Sequence, residues 1–157
     1  MRTREEKYML LALKEAKKAE AIDEVPIGAI IVCNNKVIAR GYNKRENKND
    51  VTSHAEIEAI RKANKKLNNW RLVDAEIYVT IEPCLMCMGA IYQSHITKVY
   101  YGAKDPKGGA IISSLEFDKV KNLNHYPEIE GGILEQECSK IIKNYFKKKR
   151  LKNKESN

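Results

Sequence analysis

Apolar residues return every third or fourth position through the first twenty residues, where Met9, Ala12, Leu13, Ala16 and Ala19 make one stripe among lysines and glutamates. That period predicts an amphipathic helix. The pattern then shortens: "GAIIVC" (28–33) and "KVIARGY" (36–42) are β-rich runs separated by Asn34-Asn35, a two-residue hairpin turn. A polar loop, "NKRENKNDVT", gives way to a second helical stripe of Ala59, Ile60, Ala63 and Leu67. Ser53 and Glu56 have the spacing of a capping box, which predicts a helix opened by Ser53. "EIYVTI" (76–81) reads as the next strand, and Pro83 marks the start of a helix running roughly from Cys84 to Gln93. A strand at "TKVYYG" (97–102), a loop holding "KDPKGG" (104–109), a short strand near "EIEGGI" (128–133) and a helix from about Leu134 complete the chain.

A hairpin followed by alternating helices and strands predicts a three-layer α/β/α fold around a mixed sheet of about five strands. With no repeat, low-complexity segment or second boundary, one domain is expected over residues 1–150, followed by a basic, flexible tail at 151–157. Apolar residues at 43% and charged residues at 32% are ordinary for a soluble globular protein. The N-terminus reads as neither a signal peptide nor a membrane span. Four cysteines without an export signal point to a reducing, cytoplasmic setting, and to metal binding or catalysis rather than a disulfide framework.

Charge is uneven. The chain carries a net +8, and from Lys140 onward eight Lys or Arg stand against Glu155 alone. Such a segment is either an electrostatic footprint for a polyanion such as RNA or a solvated tail that keeps the protein soluble, and composition does not separate the two.

Cys84 and Cys87 are spaced C-x-x-C at a helix start, with both sulfurs on one face. The positive end of the helix favours thiolate, the form that binds zinc. Alone, such a pair reads equally as a redox couple or as two half-buried small side chains. His54, in the first turn of the preceding helix, adds a third zinc-type ligand, and helices that follow strands on the same side begin at one sheet edge. Three ligands imply an open, catalytic site, because structural zinc is closed by four. Cys33, Cys138, His95 and His125 are the candidates for a fourth, but Cys33 falls in a strand and Cys138 in a helix, each without a neighbouring ligand, which suits small buried side chains. Glu56 is placed to reach a metal-bound water as a general acid/base.

His54-Ala55-Glu56 with Pro83-Cys84 and Cys87 resembles the signature of the zinc-dependent nucleobase deaminases, the cytidine and deoxycytidylate deaminase superfamily. "EVPIGAII" (24–31), "NWRLVDAEIYVTIEPCLMC" (69–87), "VYYGAKDPKGGA" (99–110) and "NYFKKKR" (144–150) are similar to the bacterial tRNA-specific adenosine deaminases over nearly the whole chain. The resemblance implies a cytidine-deaminase-like fold, a homodimer and one Zn2+ per subunit held by His54, Cys84 and Cys87. It implies hydrolytic deamination of adenosine to inosine at the wobble position of the tRNA anticodon arm, by zinc-activated hydroxide with Glu56 as proton shuttle. Asn43 and the backbone of Ala55 would contact the nucleoside, and Pro26, Ile27 and Ile81 would line its pocket. Asp105 and Lys107 would lie near the flanking nucleotides, and Lys147, Lys148, Lys149 and Arg150 would bind RNA. No membrane and no nucleotide cofactor enter. On this reading Glu56 serves the metal site, so the capping box is one of spacing only.

Three stretches depart from that family's pattern. His95 stands where an arginine is usual, Ile111–Ser114 within "AIISSL" replaces a more glycine-rich stretch, and Tyr126-Pro127 stands where a basic residue is more usual. All three are expected away from the metal, bearing on RNA contacts and tRNA choice. Two other readings remain open: a deaminase of a free base or nucleoside such as guanine or cytosine, which gives no reason for the basic helix, and a non-catalytic RNA-binding protein with structural zinc, which needs a fourth ligand.

Overall fold

Thr3 opens the first helix with a reciprocal capping box: its hydroxyl accepts from the Glu6 N–H at 3.1 Å, and the Glu6 carboxylate accepts from the Thr3 N–H at 2.9 Å. The computed structural model describes residues 1–156. Helix α1 (Arg4–Ala21) leads to strands β1 (Gly28–Cys33) and β2 (Lys36–Tyr42). Asn34 and Asn35, both at positive φ, make the expected tight turn between them. One turn of helix, α2 (Arg45–Lys48), interrupts the loop before α3 (Ala55–Leu67), β3 (Ala75–Ile81), α4 (Leu85–Gln93), β4 (Lys98–Ala103), β5 (Glu128–Glu130) and α5 (Glu135–Ser156).

The five strands lie in the order β2-β1-β3-β4-β5, with β1 antiparallel to both neighbours and β3, β4 and β5 parallel. The sheet is mixed, as expected. Alternation along β1 divides the core: Ala29 and Ile31 face the α3–α4 layer, whereas Ile30 and Val32 face α1 and α5. Antiparallel pairing on both sides of β1 makes β2 and β3 run in the same direction, so the helices that follow them start at one edge. At Gly41 a Cβ would overlap the Ala55 carbonyl, so only glycine lets the first turn of α3 press against β2.

The boundary drawn at residue 150 falls inside α5, which continues to Ser156; Asn157 lies outside the described residues. No helix among the described residues is long and apolar enough to cross a membrane.

Candidate active site

His54 and Cys84 occupy the N-cap positions of α3 and α4, each in extended backbone, and neither side chain makes a capping hydrogen bond. Both are therefore free to point beyond the helix ends. Ser53, expected as the cap of α3, stands one residue too early. It is fully buried and its hydroxyl donates to Glu58 Oε1 at 2.7 Å, where the Lys48 ammonium also donates at 2.6 Å. A buried carboxylate five residues on has captured the hydroxyl that local spacing assigned to the cap.

His54 Nδ1 lies 3.7 Å from Cys84 Sγ and 3.6 Å from Cys87 Sγ. Among the described residues these form the one His, Cys, Asp or Glu group of three able to hold a metal ion, with donor atoms within 4.8 Å of one another. A tetrahedral zinc with bonds of about 2.0 Å to nitrogen and 2.3 Å to sulfur sets neighbouring N and S about 3.5 Å apart. The donor set and its spacing fit that ion. The thiols already share charge: a hydrogen bond from Cys87, then one from His54, pulls Cys84 down to about 4, while Cys87 is pushed up by that bond and by burial. The bond to Cys84 raises His54 against the opposing effect of burial.

Glu56, in the first turn of α3, is 3% exposed. Burial, reinforced by the negative Cys84, pushes its carboxyl up to about 7 against the pull of its own backbone N–H. It can therefore hold or release a proton near neutral pH.

Two further carboxylates, unremarked in the sequence, set the walls. Glu82, 1% exposed at the end of β3, accepts from the backbone N–H groups of Asp105, Ile111, Ile112 and Ser113 at 2.8–3.2 Å and from the Ser113 hydroxyl. Burial opposes its ionisation, yet these donors hold it below the usual carboxylate range. A Cβ at Gly109 would overlap this carboxylate. Ala110 N–H donates to the Pro83 carbonyl at 2.8 Å and Gly109 bridges to Cys84, so the segment 109–113 lies directly against the cysteine turn. Ile111, Ile112 and Ser113 follow directly on these two contacts and are held by Glu82. Glu24, also 1% exposed, accepts from the Glu46 and Asn47 N–H groups at 3.1 and 2.7 Å and so holds α2. The signal for both was a lone acid flanking an apolar run.

Ile27, Ile81, Asp105 and Lys107 share one cleft of about 670 Å3 with Val25, Phe146 and Arg150. Pro26, Asn43 and Ala55 are buried and do not line it, and neither do His54, Glu56, Cys84 or Cys87. The Asn43 side chain is fixed at both ends, donating to the Val25 carbonyl at 3.3 Å and accepting from the Arg45 N–H at 3.2 Å. The basic residues of α5 do not form one surface. Arg150 faces the cleft, Lys148 faces a groove toward α1, and Lys147 is exposed. Lys149 is bonded to Asp23 at 3.5 Å and to the Tyr145 hydroxyl at 3.1 Å.

The four alternative ligands lie elsewhere. Cys33 pairs with Ala75 at the opposite sheet edge. There His95 stacks on His125, whose Nε2–H donates to the Ile96 carbonyl at 2.9 Å. Cys138 is buried in α5, its thiol pushed up to about 12 by burial.

The model of the MafB19-like deaminases matches residues 3–150. The chain is 47% identical to the tRNA-specific adenosine deaminase of Agrobacterium fabrum over 92% of its own length and 95% of that protein's. It is 45% identical to the enzyme of that name from Bacillus subtilis, over 97% and 94%. It also superposes, at a TM-score of 0.83 and 47% identity, covering 86% of this chain and 98% of the other, on a chain solved in studies of A-to-I editing by tRNA:A34 deaminases at the wobble position of transfer RNA.

Proposed function

The chain belongs to the MafB19-like deaminases and, among them, to the tRNA-specific adenosine deaminases, and from that premise we propose that it hydrolyses adenosine to inosine at the wobble position of a tRNA anticodon. We assign it one zinc ion per subunit, a homodimeric assembly, the anticodon arm as its docking element and the cytoplasm as its compartment. The observation that carries this reading is the convergence of His54 Nδ1 and the two cysteine sulfurs beside the buried carboxyl of Glu56.

His54, Cys84 and Cys87 would hold the zinc, which supplies a Lewis acid able to lower the pKa of water to about 7. The absence of a fourth His, Cys, Asp or Glu ligand among the described residues favours this open site over a structural one. Glu56, buried beside these ligands, takes the proton of the attacking water, delivers it to N1 of adenine, and passes a second to the departing amine. Ammonia and inosine result. A carboxyl this deeply buried reaches only a base that has left its stack, and the apolar walls of Ile27 and Ile81 suit such a flipped purine. Asn43, already aligned by Val25 and Arg45, offers the remaining lone pair of its Oδ1 to the nucleoside, with the Ala55 backbone beside it. Asp105 and Lys107 meet the flanking nucleotides, and Arg150, in the same cleft, meets the phosphate backbone.

The test is ammonia release by the purified protein from a tRNA transcript with a wobble adenosine, run beside free guanine, cytosine and cytidine. Turnover of the tRNA alone is expected. Turnover of a free base or nucleoside in its place overturns the reading.

A further inference from the structure

The sheet ends at β2, which has a single strand neighbour. Along that edge runs a groove of about 570 Å3, walled by α1 on one face of the sheet and α3 on the other. Its charged lining is Lys18, Arg40, Lys44, Lys62 and Lys66 against Glu15 alone. Lys18 is paired with Glu15 at 2.7 Å, and the Lys44 ammonium sits over the Tyr42 ring, 4.6 Å from its centroid. Arg40, Lys62 and Lys66 form no ion pair among the described residues. This concentration is separate from the basic helix: residues before Lys140 carry almost no net charge, yet five cations meet one carboxylate here.

Lysines on an edge strand also guard against pairing with another sheet. That role calls for charges on the strand, whereas here Lys18 comes from α1, and Lys62 and Lys66 lie one turn apart on α3. Cations from three elements converge on one channel. Its upper end, at Tyr42 and Lys44, adjoins Asn43, and from Tyr42 back to Val37 the strand runs about 17 Å away from that rim. This length spans several successive phosphates.

We propose that this groove binds backbone phosphates of the substrate tRNA outside the anticodon stem-loop, a second RNA surface distinct from α5; the inference rests on the tRNA reading above. The groove supplies charge without base-reading geometry, so it contributes affinity and orientation, and sequence choice stays with the cleft.

The experiment measures binding of the zinc-loaded protein to full-length tRNA and to the isolated anticodon stem-loop across a salt series. The variant is Lys62→Glu/Lys66→Glu, and the control Arg2→Glu/Lys121→Glu carries the same charge change outside the groove. The groove variant is expected to weaken tRNA binding roughly tenfold and to lower the slope of log K against log[salt] by about two. Its loss on the stem-loop should be less than a third as large, and its melting temperature should match that of the control. Equal behaviour of variant and control on tRNA would mean that the lysines only guard the edge. Equal losses on tRNA and stem-loop would place the contact within the stem-loop. Either result overturns the proposal, as does a wild type that binds no tRNA. Wild-type protein that binds tRNA yet forms no inosine overturns the earlier reading and leaves the groove measurement intact.

Discussion

At the edge of the sheet where β2 and β3 end, a histidine and two cysteines meet within 4.8 Å; the opposite edge carries Cys33 on β1 and the stacked His95 and His125, and no metal group forms there among the described residues. The residue types are the same, and the polarity of the helices differs. At the first edge, helices begin, so the N-cap side chains of His54 and Cys84 project past the helix ends into shared space. At the second, α4 has just ended: His95 follows its C-cap in a left-handed conformation (φ 63°), and its ring packs on Trp70 and His125 with centroids 5.9 and 5.4 Å away. Helix starts present side chains forward and add a positive dipole that steadies thiolates. A helix end does neither.

Substitutions at the two edges test that difference most sharply. Cys84→Ala or His54→Ala is expected to remove the bound zinc and to lower turnover by more than about a thousandfold, since the Lewis acid supplies several kcal/mol. His95→Ala and Cys33→Ala should retain the metal stoichiometry of the wild type. Elemental analysis of the purified variants decides it.

A smaller effect separates the buried acid of the first edge from an exposed ion pair of the second. Glu82→Gln should destabilise the protein by about 1–3 kcal/mol, because four backbone donors lose their charged acceptor. Glu130→Gln, which breaks an exposed 3.6 Å pair with Lys98, should barely move the urea midpoint. Glu82 is held below its ordinary 4.5 in the folded chain. Its stabilisation is therefore present above the unfolded value and fades as the pH falls through the folded one. Urea melts below about pH 5 should show the wild type losing more stability than Glu82→Gln.

The smallest effect concerns the attachment of α5. The Tyr145 hydroxyl donates to the Asp23 carboxylate at 2.9 Å and lies 3.1 Å from the Asp23 carbonyl, tying the basic helix to the loop after α1. Tyr145→Phe is expected to lower the melting temperature by roughly 2–4 °C. It should also weaken tRNA binding with little change in kcat. An equal fall in kcat would mean that α5 touches the reacting centre.

How much of this was legible in the sequence follows the range of the interactions. Helix stripes, the Asn34-Asn35 turn and the C-x-x-C spacing are local signals, and the element order, the mixed sheet and the three metal-type ligands could be read from them. What escaped depends on distant partners. The α2 turn is held by Glu24, more than twenty residues earlier, and the wall around Cys84 by Glu82, about thirty residues before its donors. Ser53 shows the limit within a local motif, since capping-box spacing was satisfied while Glu58 took the hydroxyl and passed the cap position to His54.

Glu56, buried beside the three ligands, is proposed to move the proton that turns a wobble adenosine into inosine. That role is tested most directly with Glu56→Gln, by nucleoside analysis of the anticodon after incubation with tRNA, alongside zinc content and tRNA affinity. The variant is expected to keep its zinc and its tRNA binding while inosine formation falls by at least about a hundredfold. Inosine formed at the wild-type rate would contradict it.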